Sequence, residues 1–363
     1  MATKKQWIIF VITIILILTT IYYFENSKIA PELTFQQTQT DLKENKYPKA
    51  PELNSIEGYI NTKEIKISDF KGKVVLIDFW TYSCINCIRT LPHLTEWDRK
   101  YKDKGLVIIG VHTPEFKFER DINNVKAAVK EFNVEYPVVL DNKYGTWQAF
   151  KNNYWPRKYL IDKDGYIRYD HIGEGGYDET EKQIQELLSE ITELENKELS
   201  NLEDKTPNVL PRTPELYAGY AFALPRGQDV GNDGGIQPTK TINYKLPEVL
   251  DQNYIYLDNS WENNDDNLRA KDKDSSIYLD FTAKSANIVA GSLSDEIQVE
   301  IFINGNPISK DQAGTDVLFD GEKAYIKVKD PKLYNLLNTD YGNYKLKLKT
   351  NSDQFYFNAF TFG

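Results

Sequence analysis

The chain has 363 residues, 40% of them hydrophobic, with 24 tyrosines and 17 phenylalanines, which is ample material for packed cores; that length suggests about two domains. A formal net charge of −10 excludes a nucleic-acid binder built on a basic face. There is no second C-x-x-C and the histidines are only His93, His112 and His171, which argues against a four-coordinate zinc site, and two cysteines cannot make a framework of structural disulfides.

From Trp7 to Phe24 the chain is almost unbrokenly apolar, interrupted only by threonines. About 18 residues make a helix of roughly 27 Å, close to the hydrocarbon thickness of a bilayer. Lys4 and Lys5 precede the run and Glu25 follows it, so the basic end is expected to stay cytoplasmic and the rest of the chain to lie outside. A secretory signal peptide is the competing reading. Its apolar region is usually shorter, and the exit Tyr22-Tyr23-Phe24-Glu25-Asn26-Ser27 offers no small-x-small cleavage site. Residues 1–25 therefore read as an uncleaved membrane anchor, and the polar stretch 26–48 as a tether.

A first folded unit is expected over 49–196. Ala50-Pro51-Glu52-Leu53 opens it, and Ile65-Lys66-Ile67-Ser68 alternates like a half-buried strand. After the turn Lys71-Gly72-Lys73, the continuous apolar run from Val74 to Phe79 fits a strand buried on both faces. Cys84-Ile85-Asn86-Cys87 follows directly, at the start of a helix expected to reach about Lys100. A strand that feeds a C-x-x-C at a helix start is the layout of a dithiol redox site. The first sulfur meets unpaired N–H groups and the positive dipole end, which favour thiolate. The second, one turn on, resolves the mixed disulfide. A structural disulfide there closes too small a loop to stabilise much. Asp78, on the buried strand, has a desolvated carboxyl whose pKa should rise, fitting it to exchange a proton with Cys87. Trp80 is expected to pack beside the dithiol.

Beyond it, Leu106–Val111 reads as a second buried strand and Asp121–Phe132 as a helix with Ile122, Val125, Ala128, Val129 and Phe132 at helical spacing. Glu115 follows the strand end on the side of the dithiol and is a candidate to line the site. Tyr136–Leu140 is a short strand, Tyr144–Lys151 a short helix and Lys158–Ile161 a strand. Asp162-Lys163-Asp164-Gly165 is a hairpin turn into the strand Tyr166–His171, and Asp178 to about Glu195 is an amphipathic helix. The alternation predicts an α/β unit, a mixed sheet with helices on both faces.

Residues 197–212 are polar, carry Pro207 and Pro211, and read as a linker. Over 213–363 the pattern changes to seven or eight short alternating runs separated by Asn, Asp and Gly, with Asn304-Gly305 a strong hairpin signal. This predicts an all-β sandwich. Trp261 is expected in its core, with stacking on a sugar as the alternative.

The segments Phe70-Lys71-Gly72-Lys73-Val74-Val75-Leu76-Ile77-Asp78-Phe79-Trp80, Trp80-Thr81-Tyr82-Ser83-Cys84-Ile85-Asn86-Cys87-Ile88-Arg89, Val111-His112-Thr113-Pro114-Glu115-Phe116 and Tyr154-Trp155-Pro156 resemble thioredoxin-like proteins of the TlpA group, and within it the DipZ subgroup. Thr213-Pro214-Glu215-Leu216-Tyr217 and the terminal Phe360-Thr361-Phe362-Gly363 resemble the β-sandwich that follows thioredoxin in those proteins, a domain similar in topology to carbohydrate-binding modules. The resemblance implies a thioredoxin-like fold. It implies Asp78 as the buried acid under the dithiol, Pro92 as the proline that bends the active-site helix, and Pro156 as a cis-proline facing the disulfide. A cis-proline there leaves the backbone of Trp155 open to a bound chain. Two departures matter: Ser83 stands where thioredoxin has Trp, and Ile85-Asn86 where it has Gly-Pro. DipZ proteins also carry a polytopic electron-transfer domain of the CcdA type; here one anchor helix is expected in its place.

These readings converge on a membrane-anchored thiol-disulfide oxidoreductase outside the membrane. Cys84 is the nucleophile and Cys87 the resolving thiol, with no cofactor beyond their disulfide and no metal. Protein disulfides are the expected substrates and a CcdA-like membrane protein the expected electron donor, with a cell-wall glycan or a protein contacted through the sandwich. The absence of His between the cysteines leans toward reductant. A thiol peroxidase is an alternative, since Thr81 precedes Cys84 as in peroxiredoxins, although Ile77 replaces the proline of that pattern. A glycan- or partner-binding surface protein with a secondary redox unit is another.

Overall fold

The computed structural model describes residues 3–8, 12–23, 43 and 46–363. The tether expected at 26–48 lies, apart from 43 and 46–48, outside the described residues. Among the described residues one helix, Lys4–Tyr23 near the N-terminus, is long and apolar enough to cross a membrane, and none of its described residues is buried against the rest of the chain.

The first unit runs β1 (Gly58–Ile60), β2 (Val74–Trp80), α1 (Ile85–Tyr101), β3 (Leu106–His112), α2 (Ile122–Glu131), β4 (Val138–Leu140), α3 (Gly145–Ala149), β5 (Arg157–Ile161), β6 (Ile167–Ile172) and α4 (Tyr177–Leu188). Its sheet has the order β1-β4-β3-β2-β5-β6. The central strands β2, β3 and β4 are parallel, while β1, β5 and β6 are antiparallel to their neighbours. The apolar run of β2 is explained by the two cores it separates. Val74, Leu76 and Trp80 pack with Leu91 and Leu94 of α1 and Ile184 and Leu188 of α4. Val75, Ile77 and Phe79 pack on the other face with Ile109, Val139, Phe150 and Tyr159. This is the mixed α/β sheet that the alternation predicts, in the thioredoxin-like form that the resemblance implies.

Two local expectations fail, and one strand, β1, goes unpredicted. Ile65–Ser68 is not a strand; Ile67–Phe70 forms a turn of 3-10 helix, and Asp69 accepts the Lys66 N–H at 2.8 Å. A short side chain bonding local backbone diverts the chain from sheet pairing. The edge strand β1 carries no signal beyond three residues. The last helix stops at Leu188 instead of Glu195, yet Leu194 still reaches the core from the following loop.

The second unit comprises β7 (Leu216–Tyr217), β8 (Thr241–Tyr244), β9 (Ile255–Asn263), β10 (Leu268–Ala270), β11 (Ser276–Ser292), β12 (Ile297–Ile303), β13 (Asn306–Pro307), β14 (Leu318–Asp320), β15 (Lys323–Val328), β16 (Lys332–Thr350) and β17 (Phe355–Phe362). All pair antiparallel in one 11-stranded sheet that folds back on itself. The strands are not uniformly short: β11 has 17 residues and β16 has 19. Two runs that read as separate strands, Ile277–Phe281 and Ile288–Ala290, belong to β11, which continues through register shifts at Ala283/Ser285 and Ala286/Asn287. Bulges bend a strand. Here the first part of β11 pairs with β9 and the later part with β17, so β9, β10, β17 and β11 close a ring. The Asn304-Gly305 hairpin is present between β12 and β13, both residues at positive φ, as a primed turn requires. Trp261 is fully buried; its indole N–H donates to Asp258 O at 2.9 Å and its ring meets Phe355 and Phe357 edge-on. It offers no face to a sugar.

The units are not joined by the linker alone. Phe116, on the loop after β3, is buried in the core of the β unit with Leu216, Tyr217 and Ala223. Its ring lies 5.4 Å from that of Phe222 and 6.2 Å from that of Tyr217. Elsewhere the units face each other across a cleft of about 1000 Å³, lined by Ile85 and Ile88 on one side and Lys284, Asn287 and Leu333 on the other.

Candidate active site

β2, β3 and β4 end on the same side of the sheet. In open α/β sheets that is where ligands bind. Thr81-Tyr82-Ser83 carries the chain across this end from β2 into α1. Cys84 is the N-cap of α1, with extended backbone, and its sulfur accepts the Cys87 backbone N–H at 3.3 Å. Its carbonyl takes the Ile88 N–H at 3.0 Å, so the helix begins beneath it. Cys84 is half-buried and Cys87 buried, both as free thiols. The Cys87 thiol points at Cys84 Sγ, 2.7 Å away. Burial, reinforced by the neighbouring Cys84, pushes the Cys87 thiol well above its ordinary range. The two sulfurs thus have different chemistry. Cys84 is reachable and sits on the positive end of a helix dipole. Cys87 is shielded and needs a base before it can attack.

Asp78 is 1% exposed, and neither carboxylate oxygen has a hydrogen-bond partner among the described residues. Burial raises it to about 7, against the opposing pull of Lys158. Positions directly across a sheet share a face, and those flanking Asp78 are Gly110 of β3, which has no side chain, and Lys158 of β5. Gly110 has a packing reason: a Cβ there would lie 2.9 Å from the Trp80 indole nitrogen. Lys158 is itself 1% exposed and donates to Gly173 O at 3.0 Å. Burial lowers its pKa while Asp78 raises it. Asp78 and Lys158 are a buried acid–base couple on the α1 face of the sheet. Sequence reading missed Lys158; its signal is a lone cation at an inward position of an otherwise apolar strand.

Trp80 is fully buried in the core that holds Cys87 and Leu91, edge-on to His112 with centroids 5.3 Å apart. His112 is pushed down to about 3 by burial, so it is neutral scaffold. His93 stacks on Tyr177 at 3.5 Å. Pro92 lies inside α1, as the resemblance implies. The Trp155–Pro156 peptide is cis. Pro156 is buried just ahead of β5. Trp155 packs against the same core as Cys84 and donates its indole N–H to Thr113 O at 3.1 Å. Asn86, between the cysteines, accepts from Arg89 at 2.9 Å, and Arg89 is held by Glu174 in a two-pronged ion pair of 2.7 and 2.8 Å.

Glu115 turns toward the β unit, accepting the Tyr217 hydroxyl at 2.7 Å. Burial, with Glu215 beside it, raises its carboxyl to about 8. The acid of this loop that reaches the dithiol turn is Glu119, which is fully buried and accepts the Ser83 hydroxyl at 2.5 Å. Burial pushes Glu119 up, and hydrogen bonds from Ser83, Thr81, Phe116 and Glu115 pull it back. Nothing in Phe116-Lys117-Phe118-Glu119-Arg120 marks Glu119 as inward-facing. Among the described residues no group of His, Cys, Asp and Glu could hold a metal ion.

Residues 43–188 match the family described as Redoxin, and 213–363 the one described as Thioredoxin like C-terminal domain. Protein DipZ of Mycobacterium tuberculosis is 38% identical over 248 residues, 67% of this chain and 35% of DipZ, so the chain spans about a third of that relative. The thiol-disulfide oxidoreductase YkuV of Bacillus subtilis is 30% identical over 39% of this chain and 94% of its own length. ResA, a thiol-disulfide oxidoreductase of Bacillus thuringiensis, is 35% identical over 36% of this chain and 70% of its own. With the capped dithiol of Cys84 and Cys87 in place over its buried acid, the chain belongs to the thioredoxin-like thiol-disulfide oxidoreductases, as a DipZ-like member in which a redoxin unit is followed by an antiparallel β unit.

Proposed function

We propose that this chain is a membrane-anchored reductase of protein disulfides, its soluble units outside the membrane, re-reduced by a CcdA-like membrane protein. The observation that carries the reading is the unequal dithiol: a reachable Cys84 on a helix end and a buried Cys87 against it. Cys84 attacks one sulfur of the target disulfide and releases the other as a thiolate. Cys87, its proton passed to Asp78, then attacks Cys84 Sγ and releases the second target sulfur. The target leaves as two thiols, and Cys84 and Cys87 are left joined as a disulfide.

The direction rests on Ile85-Asn86, which puts no imidazolium between the cysteines to stabilise the reduced form. Equilibration with glutathione is expected to give a potential near that of thioredoxin, about −270 mV; a value near that of DsbA, about −120 mV, overturns the reductant assignment. Sidedness rests on Lys4 and Lys5 at the N-terminal end of the helix Lys4–Tyr23. Protease added to intact cells freed of their wall is expected to digest the redoxin and β units. Full protection of both, with the helix retained, overturns the outward orientation.

A further inference from the structure

The two oxygens of Glu119 face donors only. Oε1 accepts the Ser83 hydroxyl at 2.5 Å and the Ser83 N–H at 3.4 Å; Oε2 accepts the N–H groups of Glu115 at 2.6 Å and Phe116 at 2.9 Å. One fully buried carboxylate therefore ties the residue before Cys84 to the loop after β3. That loop is gripped from the other unit. The Phe116 side chain fills the core of the β unit. The Lys117 N–H points at both carboxylate oxygens of Asp266, 3.4 Å from each, and Lys117 Nζ pairs with Asp265. Asp266 is itself buried and fixed by the Asn358 side chain at 3.0 Å. An unbroken line of contacts thus runs from Asn358 in β17 through Asp266, the 115–117 loop, Glu119 and Ser83 to Cys84.

We propose that Glu119 is the positioning residue that fixes the turn presenting Cys84, and that the β unit takes part in this fixing by holding the loop Glu119 belongs to. The redoxin unit then does not own its site outright. The β unit sets how squarely the Cys84 sulfur sits over the α1 N-terminus, and whatever loosens the docking of Phe116 also loosens the nucleophile. The proposal rests on the reductase reading only for the use to which Cys84 is put.

Positioning and plain charge give opposite signs. A buried anion close to Cys84 disfavours a second negative charge on its sulfur, so a purely electrostatic Glu119 would make both Glu119→Ala and Glu119→Gln react faster. A positioning Glu119 makes Glu119→Ala slower. Glu119→Gln should largely rescue it, because the amide oxygen still takes the Glu115 and Phe116 N–H groups while its NH₂ donates to the Ser83 hydroxyl, and only the long Ser83 N–H contact of 3.4 Å is given up.

The experiment is the rate of Cys84 alkylation by iodoacetamide in the full chain at one neutral pH, site-resolved by mass spectrometry, with thermal unfolding alongside. Glu119→Ala is expected to slow alkylation about tenfold, well within the cost of a misplaced reacting group. Glu119→Gln should stay within about threefold of the unmodified protein, and Phe116→Ala should slow the reaction in the same direction. Equal rates for the Ala and Gln variants, acceleration in either, or an unchanged rate in Phe116→Ala overturns the proposal. If Glu119→Ala does not fold, Ser83→Ala removes only the turn's side of the bond. It should slow alkylation about threefold with its unfolding transition in place, and an unchanged rate there overturns the proposal equally. Alkylation needs no protein partner, so a chain that reduces no disulfide but keeps this order of rates refutes the reductase reading and not this one.

Discussion

Cys84→Ser is expected to abolish disulfide reduction, and Cys87→Ser to leave the protein covalently joined to its substrate. Cys84 alone is reachable and capped onto a helix N-terminus, while Cys87 is buried with its thiol pushed well up. Attack therefore starts at Cys84, and without it the remaining sulfur neither reaches a partner nor ionises readily. Without Cys87 the first exchange still proceeds and the second has no nucleophile, so the mixed disulfide persists. The measurements are the initial rate of reduction of a model protein disulfide, expected to fall by at least about a thousandfold for Cys84→Ser, on the scale seen when a covalent nucleophile is removed, and recovery of a disulfide-linked adduct from Cys87→Ser on a non-reducing gel. Faster alkylation of Cys87 than of Cys84 in the reduced protein would falsify the assignment.

Asp78→Asn should make the protein more stable and a worse enzyme. Burial first, with Lys158 opposing it, places the Asp78 carboxyl at about 7, against an ordinary 3.8. Between those two values the folded state keeps a proton that the unfolded chain gives up. Stability from this group is thus fully present below about pH 4 and is lost as pH rises through about 7. At roughly 1.4 kcal/mol per pH unit, the ionised carboxylate costs up to about 4 kcal/mol at pH 8. Asparagine, which stays neutral, should recover about 2–4 kcal/mol there and nothing at pH 4. Urea unfolding across this range checks it, and parallel pH profiles for the two proteins would remove Asp78 as the titrating group. The other groups that face this charge are Lys158, Cys87 and Tyr136. Resolution by Cys87 should slow about a hundredfold, the usual loss when a positioned base is removed, so the Cys84-linked intermediate should accumulate under single-turnover conditions.

The parts of this molecule legible from sequence are those with one dominant local cause. The run from Val74 to Trp80 can be buried only on two faces, the C-x-x-C must start the helix that follows, and Asn304-Gly305 has one preferred turn. Asp78 was legible because it is a lone acid within that run. Lys158 and Glu119 were not. Lys158 acquires its meaning from the register of β5 against β2, which places it beside Asp78, and a register is a long-range fact. Glu119 lies among alternating aromatic and charged residues that read as a solvated loop, and it is buried because a second unit covers that loop. For the same reason the sequence does not show that Glu115, a candidate to line the site, accepts a hydrogen bond from Tyr217 of the β unit. The long strands β11 and β16 were misread because bulges interrupt the alternation that marks a strand.

Phe116 also bears on how such a protein can be inherited. By chain order the seam between the halves is the segment 197–212, yet a ring that fills the core of the second half is supplied from ahead of α2. A β unit recombined behind a foreign partner at that seam would arrive with a phenylalanine-sized hole beside Phe222 and Tyr217. The parent left behind would carry a bare aromatic ring on the loop next to its reactive sulfur. Shuffling at the linker is therefore penalised at both ends unless the loop 113–119 travels too, and the two halves are expected to descend as a pair.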